Sequence, residues 1–132
     1  EGDGYYVDGW KKIGNFWFEF DANGVAKQNE WVNEGGKWYY FGNSCVAYTG
    51  WGKIDGKWYY FGKDCAMVTG WIQLGTTWYY LTPGNGEMVT GWATIGGKSY
   101  YFSKEANTLG AMLANTTTPD GYKVGADGAW VK

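Results

Sequence analysis

The sequence predicts an all-β fold, a repeat solenoid of about five tandem β-hairpins with repeats of 20–21 residues. In the first four copies a second tryptophan follows the leading one by seven residues and begins an aromatic strand. The composition suits short strands and tight turns, since 21% of the chain is aromatic and 23 of its 132 residues are glycine. The leading tryptophans of the five copies are Trp10, Trp31, Trp51, Trp71 and Trp92.

Each copy is predicted to form a β-hairpin. In the third copy a short strand follows Trp51, Asp55 and Gly56 reverse the chain, and an aromatic strand returns from Trp58. A single hairpin is at best marginally stable in water, so neighbouring hairpins must cover one another's faces. Stacked hairpins give a quasi-one-dimensional solenoid.

The returning strand is aromatic on both faces. Alternation puts Trp58 and Tyr60 on one face, and Tyr59 and Phe61 on the other. One face can serve the interior, but the other has no packing reason to carry rings in every repeat. Exposed tryptophans without a ligand favour aggregation. The pattern therefore predicts aromatic cages at the junctions between repeats.

Two classes of ligand suit such cages. A quaternary ammonium is attracted to several ring faces and needs no counter-charge. A sugar can stack on tryptophan, but its hydroxyls need polar partners beside the ring. The repeat has few polar residues in fixed slots next to the tryptophans. The residues favour the cation and leave a glucan or other oligosaccharide as the alternative.

The unit Gly-Trp-x6-Trp-Tyr-Tyr-Phe, followed by a Gly-Ala-Met-like turn, resembles the choline-binding (cell-wall-binding) repeats of streptococcal surface proteins, autolysins and phage lysins. The resemblance covers residues 9–112 as five copies, and residues 113–132 resemble the ending of such proteins. It implies a left-handed superhelix in a single domain, 1–132. Residues 1–8 would form the N-terminal cap and residues 113–132 the C-terminal cap.

The resemblance also implies four choline cages. Each would take both tryptophans of one repeat, the second tyrosine of the next and often a methionine from the turn between them. The implied cages are Trp10, Trp17 and Tyr40; Trp31, Trp38 and Tyr60; Trp51, Trp58 and Tyr80 with Met67; and Trp71, Trp78 and Tyr101 with Met88. Ala26 and Ala47 fill the methionine slot of the first two, which we expect to be wider and weaker.

Departures from the motif set the ends of the array. We expect no fifth cage beside Trp92, because Ser99 replaces the second tryptophan. Glu19 stands in a ring slot and is expected to mark the N-terminal end. Packing roles are expected for the first tyrosines of the aromatic strands and for the rings near the termini. These are Tyr39, Tyr59, Tyr79, Tyr5, Tyr6, Tyr122 and Trp130.

Cys45 and Cys65 occupy a turn slot that holds glycine in other copies, namely Gly24 and Gly86. A repeated glycine slot predicts positive φ, which cysteine adopts only with strain. A disulfide is open to a secreted protein. Rotation between successive hairpins favours free or intermolecular thiols instead, because a disulfide tolerates only about 7 Å between Cα atoms.

No catalytic site, metal site or cofactor is expected. The chain contains no histidine, and two cysteines do not make a zinc site. A net charge of −2 argues against nucleic acid as a partner, and no apolar run reaches the length of a membrane span. The start at Glu1 shows no signal peptide, so we expect a mature form or an excised part of a longer protein.

The resemblance implies a non-catalytic module on the bacterial cell surface, secreted and attached to the wall. Its ligand would be choline or phosphocholine of teichoic and lipoteichoic acids. Three alternatives stay open beside it: a glucan-binding module, a surface adhesin or oligomerisation domain such as a homodimer, and the targeting half of a lytic enzyme. The fifth unit resembles the glucan-binding repeats of glucosyltransferases and clostridial toxins more than the first four do.

Overall fold

A computed structural model describes residues 9–132 as tandem two-stranded antiparallel hairpins. The strands, each of five residues, are β1 (Gly9–Ile13), β2 (Phe16–Phe20), β3 (Glu30–Glu34), β4 (Lys37–Phe41), β5 (Gly50–Ile54), β6 (Lys57–Phe61), β7 (Gly70–Leu74), β8 (Thr77–Leu81), β9 (Gly91–Ile95) and β10 (Lys98–Phe102). They pair in sequence order as hairpins 1 to 5, so the predicted all-β fold of tandem hairpins is confirmed. The left-handed superhelix stays a prediction.

Backbone conformation explains the glycine and cysteine slots of the turns. The two-residue turn of hairpin 3 has φ of 52° at Asp55 and 82° at Gly56, a left-handed pair that matches the twist of a hairpin. In the turns after hairpins 2 and 3, Cys45 and Cys65 have φ of 69° and 71°. Gly24, in the corresponding slot after hairpin 1, has a similar φ of 79°. The predicted positive φ is confirmed. Both thiols are free.

The turn that follows a hairpin bonds to the hairpin before it. Ala47, after hairpin 2, donates its N–H to the Trp17 carbonyl of hairpin 1 at 2.9 Å. Met67 makes the same bond to Trp38 at 2.8 Å. These bonds satisfy main-chain groups outside the hairpin ladder and fix the spacing of successive hairpins. The rings on facing hairpins are thereby brought within contact distance.

The chain divides into two compact units. The first ends at Val68 and the second begins at Thr69. The first unit has a buried core around Phe41 and Phe61, the last residues of their strands. In the second unit Leu81 and Phe102 take the same strand position and are fully buried. In hairpins 2 to 5 the end of the second strand thus supplies a fully buried residue, whereas in hairpin 1 Phe20 is half-buried and Glu19 is the buried residue. The last residue of the second strand is apolar in every copy.

The C-terminal tail belongs to the second unit and is ordered by hydrogen bonds. It contains a short 3-10 helix (Ala106–Thr108) and a small antiparallel pair, β11 (Thr116–Thr117) and β12 (Lys123–Val124). Within the part of the chain that the structure describes, no helix is long and apolar enough to cross a bilayer. The predicted N-terminal cap, 1–8, lies outside the described residues. The predicted C-terminal cap and the single-domain organisation stay predictions.

Candidate functional site

The two tryptophans of a hairpin lie on one face and meet edge to face. In hairpin 4, Trp71 is paired directly with Tyr80, and Trp78 lies two residues away on the same strand face. The ring centroids of Trp71 and Trp78 are 6.1 Å apart at 85°. The matching pairs in hairpins 1, 2 and 3 are separated by 6.2, 6.2 and 6.4 Å. Four hairpins therefore present the same two-walled corner of indole rings.

The next hairpin supplies a third wall from the opposite face of its returning strand. Tyr100 of hairpin 5 lies with its ring centroid 5.0 Å from that of Trp71, and Phe102 packs against the same indole at 5.8 Å. The first unit repeats this contact twice, with tyrosine to tryptophan distances of 4.9 Å in both cases. The pairs are Trp10 with Tyr39 and Trp31 with Tyr59.

The following turn contributes the floor of the site. Met112 donates its N–H to the Trp78 carbonyl at 2.9 Å, the bond that Met67 makes to Trp38 in the first unit. A cavity of about 310 Å³ is lined by Trp71, Trp78, Tyr100, Met112 and Asp127. Trp78 remains 37% exposed, and a large ring left open beside a cavity indicates a binding surface.

These repeats match known families along most of the chain. Profiles for a choline-binding repeat match residues 48–90 and 91–130, and a profile for a cell wall binding repeat matches residues 29–44. The choline-binding domain of Spr1274 from Streptococcus pneumoniae is 42% identical, and the match covers 64% of this chain and 96% of that chain with a TM-score of 0.56. The chain belongs to the choline-binding repeat family.

Longer members of the choline-binding repeat family match as well. CbpF in complex with ipratropium is 42% identical over all of this chain and 41% of its own, with a TM-score of 0.88. CbpJ from Streptococcus pneumoniae TIGR4 is 42% identical over 95% of this chain and 41% of its own, with a TM-score of 0.84. This chain therefore spans about two fifths of either relative. No curated protein sequence matches it.

The second tyrosine of each aromatic strand in hairpins 2 to 5 lies against the leading tryptophan of its own hairpin, and the predicted cage assignments stay predictions. Tyr40, expected in the cage of Trp10 and Trp17, lies directly opposite Trp31 in its own hairpin, with the ring centroids 5.1 Å apart. Tyr39 is the residue that contacts Trp10. The reason is strand alternation. Tyr40 shares a strand face with Trp38 and packs toward hairpin 3, whereas Tyr39 lies on the opposite face and contacts hairpin 1.

The same arrangement recurs further along the chain. Tyr60 lies against Trp51, Tyr80 against Trp71 and Tyr101 against Trp92, each across its own hairpin, with ring centroids 5.1, 5.1 and 5.3 Å apart. From the next hairpin, Tyr59 contacts Trp31 and Tyr100 contacts Trp71. Of these two tyrosines, Tyr59 is the one for which the sequence predicts a packing role.

Two of the turn methionines lie beside the hairpin one repeat before their own. Met67, expected with Trp51 and Trp58, donates its N–H to the Trp38 carbonyl and packs against the buried cluster that contains Tyr59 and Phe61. The fourth cage contains Met112 in place of Met88, whose thioether faces Gly110. The turns that contain Ala47, Met67 and Met112 reach back to the preceding hairpin, so these three slots lie beside the tryptophans one repeat earlier. The second cage accordingly has a methionine, and the first has Ala47.

The third cage is a separate case. Trp51 and Trp58 form their edge-to-face pair in the first unit. Tyr80 belongs to the second unit and lies against Trp71. The cage that would combine them stays a prediction.

Carboxylates stand beside two of the cages. Glu34 accepts the indole N–H of Trp10 at 2.7 Å, and hydrogen bonds from Glu19 and Trp10 lower the pKa of Glu34. The Ala129 N–H donates to Asp127 at 2.9 Å and lowers the pKa of Asp127. Both groups are therefore held ionised at neutral pH. A negative charge at the edge of an aromatic cage favours a cationic ligand.

Rings also gather beside Trp92, where no cage was expected. A further cavity of about 330 Å³ is lined by Trp92, Ser99, Asp120, Tyr122 and Trp130. Sequence reasoning missed it because Tyr122 and Trp130 lie outside the repeat motif. The spacing of the tail carries no sign of which repeat its rings approach.

Proposed function

We propose that this chain is a non-catalytic cell-wall-binding module that captures choline groups of teichoic and lipoteichoic acids. The observation that carries the proposal is the recurring arrangement of two edge-to-face indoles with a tyrosine from the next hairpin, to which the turn adds a methionine in the second and fourth cages. The module would place itself, and any domain joined to it, at the bacterial surface after secretion. CbpF and CbpJ extend well beyond the part that matches this chain, which is compatible with such a further domain.

The chemistry of the cage favours a trimethylammonium head over a sugar. In the fourth cage, four of the five lining residues present rings or a thioether, and Asp127 is the remaining one. Each ring face contributes roughly 0.5–2 kcal/mol to binding a desolvated cation. A neutral sugar would bury hydroxyls beside apolar atoms, and unpaired buried hydroxyls are costly. The endolysin from phage Cp-1, 33% identical over 90% of this chain and 35% of its own with a TM-score of 0.55, was solved with choline.

The test is a calorimetric titration with choline chloride, run beside ethanolamine and a glucan oligosaccharide. We expect saturable choline binding at several sites and much weaker heat with ethanolamine, whose ammonium is better hydrated and smaller. The matched variant is Trp78→Ala, which opens the fourth cage and should lower the choline stoichiometry by about one site. Binding of glucan without choline would make the module a sugar-binding one.

Two further readings are tested in the same series. Sedimentation with and without choline distinguishes a monomeric anchor from a homodimer or adhesin. Turnover of purified cell walls by this chain alone would contradict the proposed absence of catalysis.

A further inference from the structure

The C-terminal tail returns over hairpin 5 and completes it with rings. Trp130 donates its N–H to the Ser99 carbonyl at 2.8 Å. This is the bond that Met112 makes to Trp78, at the matching strand position. Trp130 therefore stands in the slot that a methionine fills in the second and fourth cages. Ser99 leaves open the space that the second indole fills elsewhere.

The rings around this space meet as those of the repeat cages do. The centroids of Trp92 and Tyr122 are 6.0 Å apart at 82°, and those of Tyr122 and Trp130 are 6.0 Å apart at 89°. All three rings remain between 37% and 49% exposed. The cavity between them, about 330 Å³, is close in volume to the 310 Å³ of the fourth cage. The rings are therefore open to a ligand of similar size.

The charges at this cavity favour a cation. The indole N–H of Trp92 donates to Asp120 at 2.8 Å, and the hydroxyl of Thr118 donates to the other carboxylate oxygen. These hydrogen bonds, from Thr118 first and Trp92 second, lower the pKa of Asp120 and keep it ionised at neutral pH. The ammonium of Lys132 already lies 5.6 Å from the centre of the Trp130 ring. That ring face thus accepts a cation from its own chain.

We propose that Trp92, Tyr122 and Trp130, with Ser99 and Asp120 at the edge, form a fifth site for quaternary ammonium groups, the tail cage. It differs from the repeat cages in taking its rings from hairpin 5 and from the C-terminal tail, which lacks the double-tryptophan hairpin of the other cages. Its ligand class rests on the proposed function, but its residues are separate from those of the other cages. The tail thereby acts as a binding element as well as an end to the array.

The test uses the intact chain labelled with 5-fluorotryptophan and followed by fluorine NMR during titration with choline chloride, against sodium chloride at equal ionic strength. Signals are assigned with single Trp→Phe variants. We expect the Trp92 and Trp130 signals to shift and saturate together, with an isotherm separate from that of Trp71 and Trp78. Unchanged Trp92 and Trp130 signals at choline concentrations that saturate Trp71 would overturn the tail cage alone. Silence at Trp71 and Trp78 with saturation at Trp92 would overturn the repeat cages instead.

Two variants make the test specific. Trp130→Ala should abolish the choline response of Trp92 and leave that of Trp71. The unliganded spectrum reports whether the other repeats stay folded. Lys132→Gln removes the internal cation without touching a cage ring and should tighten choline binding at Trp92 by about twofold to fivefold, the reverse of a loss of fold. A loss of binding at Trp92 in this second variant would contradict the assignment.

Discussion

Glu19 occupies the strand position that a tyrosine takes in the other hairpins, since it lies opposite Trp10 as Tyr40 lies opposite Trp31. Its side chain is buried, and its Oε1 has no hydrogen-bond partner among residues 9–132. Burial raises the pKa of Glu19 to about 7, helped by the hydrogen bond and negative charge of Glu34 and opposed by Lys27. Near neutral pH this carboxyl is therefore partly protonated.

The pKa of Glu19 predicts that the free energy of unfolding falls as pH rises from about 4.5 to above 7. Over that range the folded chain holds a proton that the unfolded chain has released, so the contribution of Glu19 is fully present below 4.5 and lost on passing 7. The resulting decrease in the free energy of unfolding is at most ~3 kcal/mol. The lowered pKa of Glu34 acts oppositely, because its contribution is lost as pH falls below the usual range. Urea midpoints measured between pH 4.5 and 8 check this.

The matched variants for that experiment are Glu19→Gln and Glu105→Gln. Glutamine cannot ionise, so Glu19→Gln should flatten the decline in urea midpoint above pH 4.5. Glu105 is exposed, and its replacement should leave the slope as it is in the unaltered chain. Parallel pH profiles for all three proteins would mean that Glu19 is ionised in the folded state.

Adjacent tyrosines serve different cages, and this gives a second prediction. Tyr100→Leu removes a ring from the fourth cage and should weaken choline binding at Trp71 by about twofold to thirtyfold, the range of one lost cation–π contact. Tyr101→Leu alters a ring that lies against Trp92 and should leave the affinity at Trp71 unchanged. Fluorine signals of labelled Trp71 and Trp78 report both affinities. The opposite pattern would restore the second tyrosine to the cage.

At the scale of the element, the fourth cage depends on a turn in the C-terminal tail. Gly128 has φ of 83°, and a Cβ on it would lie 2.6 Å from Cε of Met112 and closer still to the sulfur. Asp127, beside it in the same turn, lines the fourth cage. The turn around Gly128 thus holds the methionine of that cage in place.

Gly128→Ala is therefore expected to weaken choline binding in the fourth cage. The added methyl group must displace Met112, and the left-handed backbone costs about 1–2 kcal/mol for a non-glycine residue. Gly97→Ala is the control, since Gly97 has φ of 86° and open space around its Cβ position. Both variants should lose similar stability in urea, but only Gly128→Ala should weaken the response of Trp71. Equal choline affinity in the two variants would mean that Met112 does not contribute to binding in the fourth cage.

The strands and the tryptophan pairs could be predicted from the sequence. The residues that contact those tryptophans from the next hairpin could be predicted only in part. The hairpins and their turns follow from local rules, because the Trp spacing and the Asp55-Gly56 type of turn act within a few residues. Strand alternation contained the information that Tyr39 and Tyr40 face opposite ways. The methionine register depends on how far a turn reaches back over the preceding hairpin. Local pattern does not encode that distance.

The tail shows the same boundary between local and long-range information. Tyr122 and Trp130 were expected to be packing residues of a cap because no periodicity links them to Trp92. They approach it through hydrogen bonds that span about thirty residues of chain, such as the one from Trp130 to Ser99. Such contacts follow from the folded backbone, and one sequence by itself does not specify them.

At the scale of the whole molecule, the proposed function places several cages of one chain against a polymer that carries many choline groups. Once one cage is occupied, linkage makes the next binding event intramolecular, with an effective concentration in the millimolar range for short connections. Overall avidity can then exceed single-site affinity by about 10²–10⁴ without any new contact. The proposed wall attachment would therefore depend more on the number and spacing of the cages than on the affinity of any one of them.

This predicts that dissociation from a choline-coated surface depends steeply on the number of intact cages and on ligand density. Trp17→Ala and Trp78→Ala should each speed dissociation at high density, and the double variant should speed it by roughly the product of the two effects, because the altered cages lie in different units. At sparse density, where only one cage can engage, the variants should converge on the unaltered chain. Surface plasmon resonance at graded choline densities gives the rates. A dissociation rate that is independent of density would mean that one cage carries the attachment.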